Sequence, residues 1–361
     1  MKIANRMEKL APSLTLSITA LANELKAAGK DILSFSAGEP DFDTPQVVKD
    51  AAIKAINEGK TKYTAVEGIK ETKQAIINKL KKDHNLDYTL DKIVISNGAK
   101  HSLFNLAQAL IDEGDEVIIP SPYWVTYPEL VVYSGGVPVF IETDESTEFK
   151  ITAKQLKEKI TPKTKILMLN SPSNPTGSIY SKDELLAIGE VLKGTDIVVL
   201  SDEMYEKLIY KGKKFTATAE VSPDMYNRTV TINGLSKSVA MTGWRFGYVA
   251  CPNSALAKAM SKLQGQVTSN VNSMTQYAAI VALEGEANKD IEMMRIEFEK
   301  RKDYAVKAIN NISKLSCYDP DGAFYLFINI KKYSNDSMKF CADLLENKGV
   351  ALVPGLAFGM E

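Results

Sequence analysis

The sequence predicts an α/β fold: a large domain with a mostly parallel sheet covered by helices on both faces, plus a smaller α+β domain built from both chain ends. Three observations carry this. Helical and strand-like patterns alternate between residues 46 and 290. The strand runs are near-continuous apolar stretches, such as Ile197-Val198-Val199-Leu200, which suits strands buried on both faces. Beyond about residue 286 a long charged helix opens a different texture, and 361 residues exceed what one hydrophobic core usually organises. The predicted division is a large domain over 46–290 and a small domain from 1–45 with 291–361.

The elements follow in order. Thr44-Pro45 has the cap-then-proline order of a helix start. Val48, Ala51, Ala52, Ala55 and Ile56 then share one helical face, and Gly59 is placed to end the helix. A second helix is predicted over 69–82. A strand over 92–95 leads through Asn97-Gly98-Ala99 into a helix with Leu103, Leu106, Ala107 and Leu110 on one face. Strand runs recur at 116–119, 137–141, 166–169, 197–200 and 230–232. After the long helix, 290–310, one strand run is read over 323–330, then a helix and a short strand over 350–353.

Composition removes several chemistries. Lys plus Arg (44) nearly cancels Asp plus Glu (45), so no overall positive field favours nucleic acid or an anionic membrane. His84 and His101 are the only histidines, which leaves little material for a metal site. Cys251, Cys317 and Cys341 are odd in number and without a CxxC spacing, so a disulfide framework is not expected. No apolar run reaches membrane-spanning length, and the start lacks an apolar leader core. The expectation is a cytoplasmic protein, with the Asn-x-Ser/Thr triplets as chance matches.

The glycine fingerprints of dinucleotide and nucleotide sites are absent, as are the GxSxG and HExxH motifs. What stands out instead are polar residues at predicted strand ends, where open α/β sheets bind ligands. One run ends in Ser201-Asp202-Glu203-Met204-Tyr205 and another in Asn170-Ser171-Pro172-Ser173-Asn174-Pro175-Thr176-Gly177. The third is followed by Asn233-Gly234-Leu235-Ser236-Lys237. Each has an ordinary reading: a solvated carboxylate, a rigid turn, a surface lysine. Together they match one chemistry. An aldehyde cofactor needs an amine (Lys237), an acid to keep a ring nitrogen protonated (Asp202), and a phosphate nest (the Gly98-Ala99 helix start). Desolvation and nearby Arg245 would favour the neutral, nucleophilic amine.

Seven segments, in order, carry a family resemblance: SAGEPDFDTP (36–45), KYTAVEGIKE (62–71), SNGAKHSLFN (96–105), PSPYWVTYPE (120–129), NSPSNPTG (170–177), SDEMYE (201–206) and NGLSKSVAMTGWRFGY (233–248). The chain resembles the fold-type I, class I aminotransferases that use pyridoxal 5'-phosphate, in particular the bacterial aspartate aminotransferases of subgroup I gamma. The resemblance implies Lys237 as the Schiff-base lysine and proton shuttle, and Asp202 as partner of the pyridinium nitrogen. It implies Tyr205 and Asn174 on the ring's phenolic oxygen and Trp124 stacked on the ring. Gly98, Ala99, Ser236 and Arg245 would hold the phosphate, joined by Tyr63 from a second subunit of a homodimer. Gly38 would place its backbone against the substrate α-carboxylate. Lys100, assisted by Thr15, would bind the distal carboxylate of a dicarboxylic substrate. An isolated Trp124, Tyr63 or Lys100 would read as packing or a solvated surface.

The implied reaction moves the amino group of aspartate to 2-oxoglutarate in a ping-pong cycle. Aromatic amino acid or prephenate transamination, β-elimination on the same scaffold and a non-enzymatic amino-acid-binding module are the alternatives. A nicotinamide-dependent dehydrogenase fits on fold alone but lacks its glycine fingerprint. The family also carries an arginine for the α-carboxylate and a final helix after a Val-Pro-Gly stretch. Val353-Pro354-Gly355 is followed only by residues 356–361. The expectation is therefore a shortened form of a longer chain, or else one that binds cofactor yet turns amino acids over poorly.

Overall fold

The structure, a computed structural model, describes residues 2–360. Its strands are β1 (Leu33–Ser34), β2 (Ile93–Asn97), β3 (Glu116–Ser121), β4 (Val137–Glu142), β5 (Thr164–Asn170), β6 (Val198–Asp202), β7 (Thr229–Gly234), β8 (Phe246–Ala250), β9 (Ser316–Cys317), β10 (Ile328–Asn329) and β11 (Val350–Ala351). Seven of them form one sheet in the order β2-β8-β7-β6-β5-β3-β4. Every neighbouring pair is parallel except those made by β8, which runs antiparallel to both β2 and β7.

The apolar strands are explained by what covers them. Successive residues point to opposite faces, so Val94 and Ile95 enter different cores, as do Ile166 and Leu167, and Val199 and Leu200. One face is covered by helices Gln46–Asn57, Lys70–His84 and Ser273–Glu284. Helices Ala99–Leu110 and Ser254–Val267 cover the other. A strand buried on both sides has no position for an alternating polar residue, and a two-faced α/β sheet results. The chain ends meet in a separate parallel pair, Leu33–Ser34 with Val350–Ala351. Among the described residues no helix is long and apolar enough to cross a membrane.

Three expectations change. The helix expected after Thr44-Pro45 opens at Gln46 with Pro45 as its capping position, and Thr44 does not cap it. The Thr44 hydroxyl instead donates to the Ala240 carbonyl at 2.7 Å and accepts from the Trp244 indole at 2.9 Å, tying the linker to the segment after Lys237. Second, β8 was not foreseen. It follows β7 without an intervening helix, so it breaks the alternation that marked the other strands. Third, only Ile328–Asn329 of the run over 323–330 pairs as a strand, with β9. Ala323 takes a left-handed φ of +58°, and its N–H donates to the Leu208 carbonyl at 2.9 Å, so the start of that run is spent joining the chain to the turn beyond β6.

Candidate active site

The carboxyl ends of β5, β6 and β7 open into a cavity of about 1640 Å³, closed on its far side by the segments around 13–41 and 324–358. β6 ends at Asp202, 5% exposed. Its Oδ2 accepts from the Tyr127 hydroxyl at 2.9 Å and its Oδ1 from the Met204 N–H at 3.2 Å. Burial raises its pKa to about 6, held down from a higher value by those donors. Tyr127 keeps its proton because burial and the adjacent carboxylate lift its pKa well above the usual range.

Lys237 stands in the turn after β7, and its ammonium donates to the Gly38 carbonyl across the cavity. Burial lowers its pKa to about 8, beyond what Glu39 and Asp202 restore, and Arg245 adds to the lowering. The cavity thus presents a poised amine and a buried acid on adjacent strand ends.

The third element is a donor cluster. Gly98 precedes helix Ala99–Leu110 with φ +84°, and a Cβ there would come within 2.3 Å of Arg245 Nη2 and 2.8 Å of its Cζ. Only glycine allows the guanidinium to lie against the helix start. Arg245 itself has a left-handed φ of +57°, and its Nη1 donates to the Thr242 carbonyl at 2.9 Å. Free helix N–H groups, a guanidinium and the Ser236 hydroxyl suit a phosphate-like anion.

The remaining predicted residues fall as follows. All except Gly98 and Tyr63 line this one cavity, and Gly98 sits directly behind Arg245. Lys100 Nζ lies 4.9 Å from the Trp124 ring centroid, and burial with nearby Arg245 lowers its pKa. The Thr15 hydroxyl shares a 3.0 Å hydrogen bond with Ser13. A Cβ on Gly38 would stand 3.0 Å from the Tyr325 hydroxyl, tighter than ordinary contact. The Asn174 N–H donates to Asn170 Oδ1 at 2.7 Å. Tyr63 is 89% exposed and lies outside its own chain's cavity.

Comparison with known proteins adds the family. A family model described as "Aminotransferase class I and II" matches residues 30–361. The chain belongs to the class I and II aminotransferases. It is 51% identical to the aspartate aminotransferase of Geobacillus stearothermophilus over 99% of this chain and 92% of that protein. It is 46% identical to the aspartate/prephenate aminotransferase of Nitrosomonas europaea over 100% of this chain and 94% of that one. Among solved structures, the Rhizobium meliloti aspartate aminotransferase superposes with a TM-score of 0.96 at 43% identity, covering 100% of this chain and 92% of that chain. The Thermus thermophilus enzyme with maleate gives 0.94 at 38%, covering 99% and 93%.

In this aminotransferase three cavity residues were not singled out from sequence. Tyr127 holds Asp202 from the helix Thr126–Tyr133. Asn170, at the end of β5, donates to the Asp202 carbonyl at 3.0 Å while its oxygen holds Asn174, so one side chain links two strand-end loops. Tyr325 shares a 2.5 Å hydrogen bond with the Tyr205 hydroxyl. Tyr127 and Asn170 sit inside quoted family segments, so only their partners were hidden. Nothing near Tyr325 marked it, since its strand-like run reads as core.

Proposed function

We propose that the chain transfers the amino group of aspartate to 2-oxoglutarate through pyridoxal 5'-phosphate bound at Lys237, in a ping-pong cycle. The observation that carries this is the pairing of a half-buried amine of lowered pKa with a buried acid at neighbouring strand ends, beside a cluster of anion donors. The cofactor fits these groups in kind. Gly98, Ala99, Ser236 and Arg245 would hold its phosphate, Asp202 its ring nitrogen, Tyr205 and Asn174 its phenolic oxygen, and Trp124 its ring face. When bound, it supplies an electron sink for the substrate's α-carbon.

Each protein group then has a definite task. The Lys237 amine would hold the cofactor through its aldehyde and, once displaced by substrate, would be the base placed to take the α-proton and the acid placed to return it. The Asp202 carboxyl, whose pKa of about 6 already reflects the pull of the Lys237 cation, would face the ring nitrogen and favour its protonated form. Tyr127 holds that carboxylate in place. Lys100 at the first helical turn would meet a distal carboxylate, assisted by Thr15 on the same cavity wall, and the Gly38 backbone would face the α-carboxylate. On this reading the cavity would be a cleft between a large domain (46–290) and a small one (1–45 with 291–361). The exposed Tyr63 belongs to a homodimer in which one protomer completes its partner's phosphate site, in a cytoplasmic protein.

Prephenate or aromatic amino acids are the second reading, since relatives at 45–47% identity carry the name aspartate/prephenate aminotransferase. The test is purification with added cofactor, borohydride reduction and peptide mapping. A reduced adduct on Lys237 that disappears in Lys237→Ala, and a spectral change on adding aspartate, are the expected results. An adduct elsewhere, or pyruvate and ammonia released from a single amino acid with no 2-oxo acid present, would overturn the assignment.

A further inference from the structure

Asp202 and Glu203 are adjacent in the chain and look in opposite directions. Asp202 faces the cavity, whereas Glu203 accepts from the Ser201 hydroxyl at 2.9 Å and the Thr218 N–H at 3.0 Å. The next turn repeats this arrangement: Tyr205 lines the cavity and Glu206 points to the helix Lys70–His84. The backbone between them is a tight turn, with the Glu206 N–H on the Glu203 carbonyl at 3.1 Å and the Leu208 N–H on the Tyr205 carbonyl at 2.8 Å. Any shift of Glu206 is therefore a shift of Tyr205.

Glu206 is held by a buried cluster of charges. Its Oε1 lies 2.5 Å from Lys79 Nζ and its Oε2 3.0 Å from His84 Nε2. The other ring nitrogen of His84 is 3.0 Å from Glu220 Oε2. A neutral imidazole has one N–H and cannot donate to two carboxylates, so this geometry requires the imidazolium. Asp83 completes the group, 3.3 Å from Lys79 and 2.7 Å from Lys207. Facing the His84 ring are Glu206 and Glu203 from the turn, Glu220 from the segment 218–220, and Phe215 in a T-shaped pair; Lys79, Asp83 and Lys207 surround Glu206, and Tyr248 of β8 acts on Lys79. Buried ion clusters add little stability relative to apolar packing, so the role of this one is to be sought in what it orients.

We propose that His84 is a positioning residue for the cofactor pocket: bridging Glu206 and Glu220 as an imidazolium, it fixes the turn on which Asp202 and Tyr205 stand. The inference rests on the functional reading above and extends it to the opposite face of the sheet. The Tyr205 hydroxyl, bonded to Tyr325, is the group that a loosened turn would displace from the bound ring.

The test uses cofactor-loaded wild type, His84→Gln and Glu220→Gln, with the Lys237→Ala protein as control. Two quantities are read besides activity: the pH midpoint of the visible band of Lys237-bound cofactor, and the rate of cofactor release. Both variants are expected to move the midpoint by about half a pH unit or more and to release cofactor at least about threefold faster, with unchanged far-ultraviolet circular dichroism. A lower melting temperature with both readouts unchanged would mean a merely structural role and overturn the proposal. If His84→Gln does not fold, Glu220→Gln decides alone, because Glu220 lies at the rim of the cluster. A wild-type protein with no such band, or a band that survives in Lys237→Ala, sinks the functional reading and this inference with it. A wild-type band that titrates identically in the variants sinks this inference only.

Discussion

The Tyr127 hydroxyl donates to Asp202 Oδ2 at 2.9 Å, across 75 residues of chain and wholly within the buried interior. That donor opposes the burial that pushes the carboxyl up to about pH 6. In Tyr127→Phe the opposition is lost and the pKa of Asp202 rises further, so at pH 7 less of it is ionised. Cofactor affinity at pH 7 is expected to fall by about tenfold, the equivalent of the ~1.5 kcal/mol a hydrogen bond to a charged group contributes. The deficit should shrink as pH rises toward 9. Equilibrium titration of apoprotein with pyridoxal 5'-phosphate at several pH values measures both.

Lys237 must lose its proton before it can attack an aldehyde, and burial sets its pKa at about 8. The rate of reconstitution of apoprotein should therefore climb about tenfold per pH unit below 8 and level off above it. Stopped-flow absorbance at fixed cofactor concentration gives the profile. A plateau beginning near 10 would show that the amine is solvated like a surface lysine.

At Gly98 a methyl group has nowhere to go except toward Arg245, at 2.3 Å, and φ is +84°. In Gly98→Ala the guanidinium, as the flexible partner, is expected to yield and leave the helix start. Affinity for cofactor and for inorganic phosphate as a competitor should fall together by about tenfold or more, with roughly 1–2 kcal/mol of backbone strain lowering the melting temperature. Loss of stability with phosphate affinity intact would argue against the anion cradle.

Lys100 lies at the mouth of the same helix start, over Trp124, with burial and Arg245 lowering its pKa. In Lys100→Met the concentration of aspartate needed for the spectral change should rise by about tenfold, from a lost charge-assisted hydrogen bond of ~1.5 kcal/mol. The response to phenylalanine should stay within about twofold, because its side chain offers no second carboxylate. Equal loss for both amino acids would place Lys100 outside the distal subsite.

His84 links stability to pH. Burial lowers its pKa, but the hydrogen bonds to Glu206 and Glu220 outweigh it and raise the value from 6.5 to about 9. A raised cationic pKa means that the stabilisation is complete below about 6.5 and is lost as pH climbs through 9. The stability of wild type against chemical denaturant should therefore fall between those values, and His84→Gln should flatten that decline. Identical slopes in the two proteins would show that the ring is not held as a cation.

How much of this was legible beforehand follows from the kind of information each feature needs. Residues 197–200 read as a doubly buried strand because local apolar runs report what lies on both faces, and Val199 and Leu200 do enter separate cores. The strand-end residues Asp202 and Lys237 were legible for the same reason, since the position where an apolar run turns polar is a local property. β8, Phe246–Ala250, escaped because it follows β7 with no helix between them, and the alternation of helix and strand is what marked the other strands. The strand expected over 323–330 failed where Ala323 turns left-handed to reach Leu208, a long-range demand that no local preference encodes.

Periodicity and composition in the chain settled the doubly covered sheet and the chemical types gathered at its edge, because both depend on residues a few positions apart. Partnership was decided only by folding: Tyr127 with Asp202, Tyr325 with Tyr205 over 120 residues, and Lys237 with Gly38 over 199. The same holds for the ionisation of His84, which the sequence marks only as one of two histidines and which becomes an imidazolium because two carboxylates from distant segments meet its ring. Charge and acidity respond to distance and solvent exclusion, and those exist only after the chain has been brought together in space.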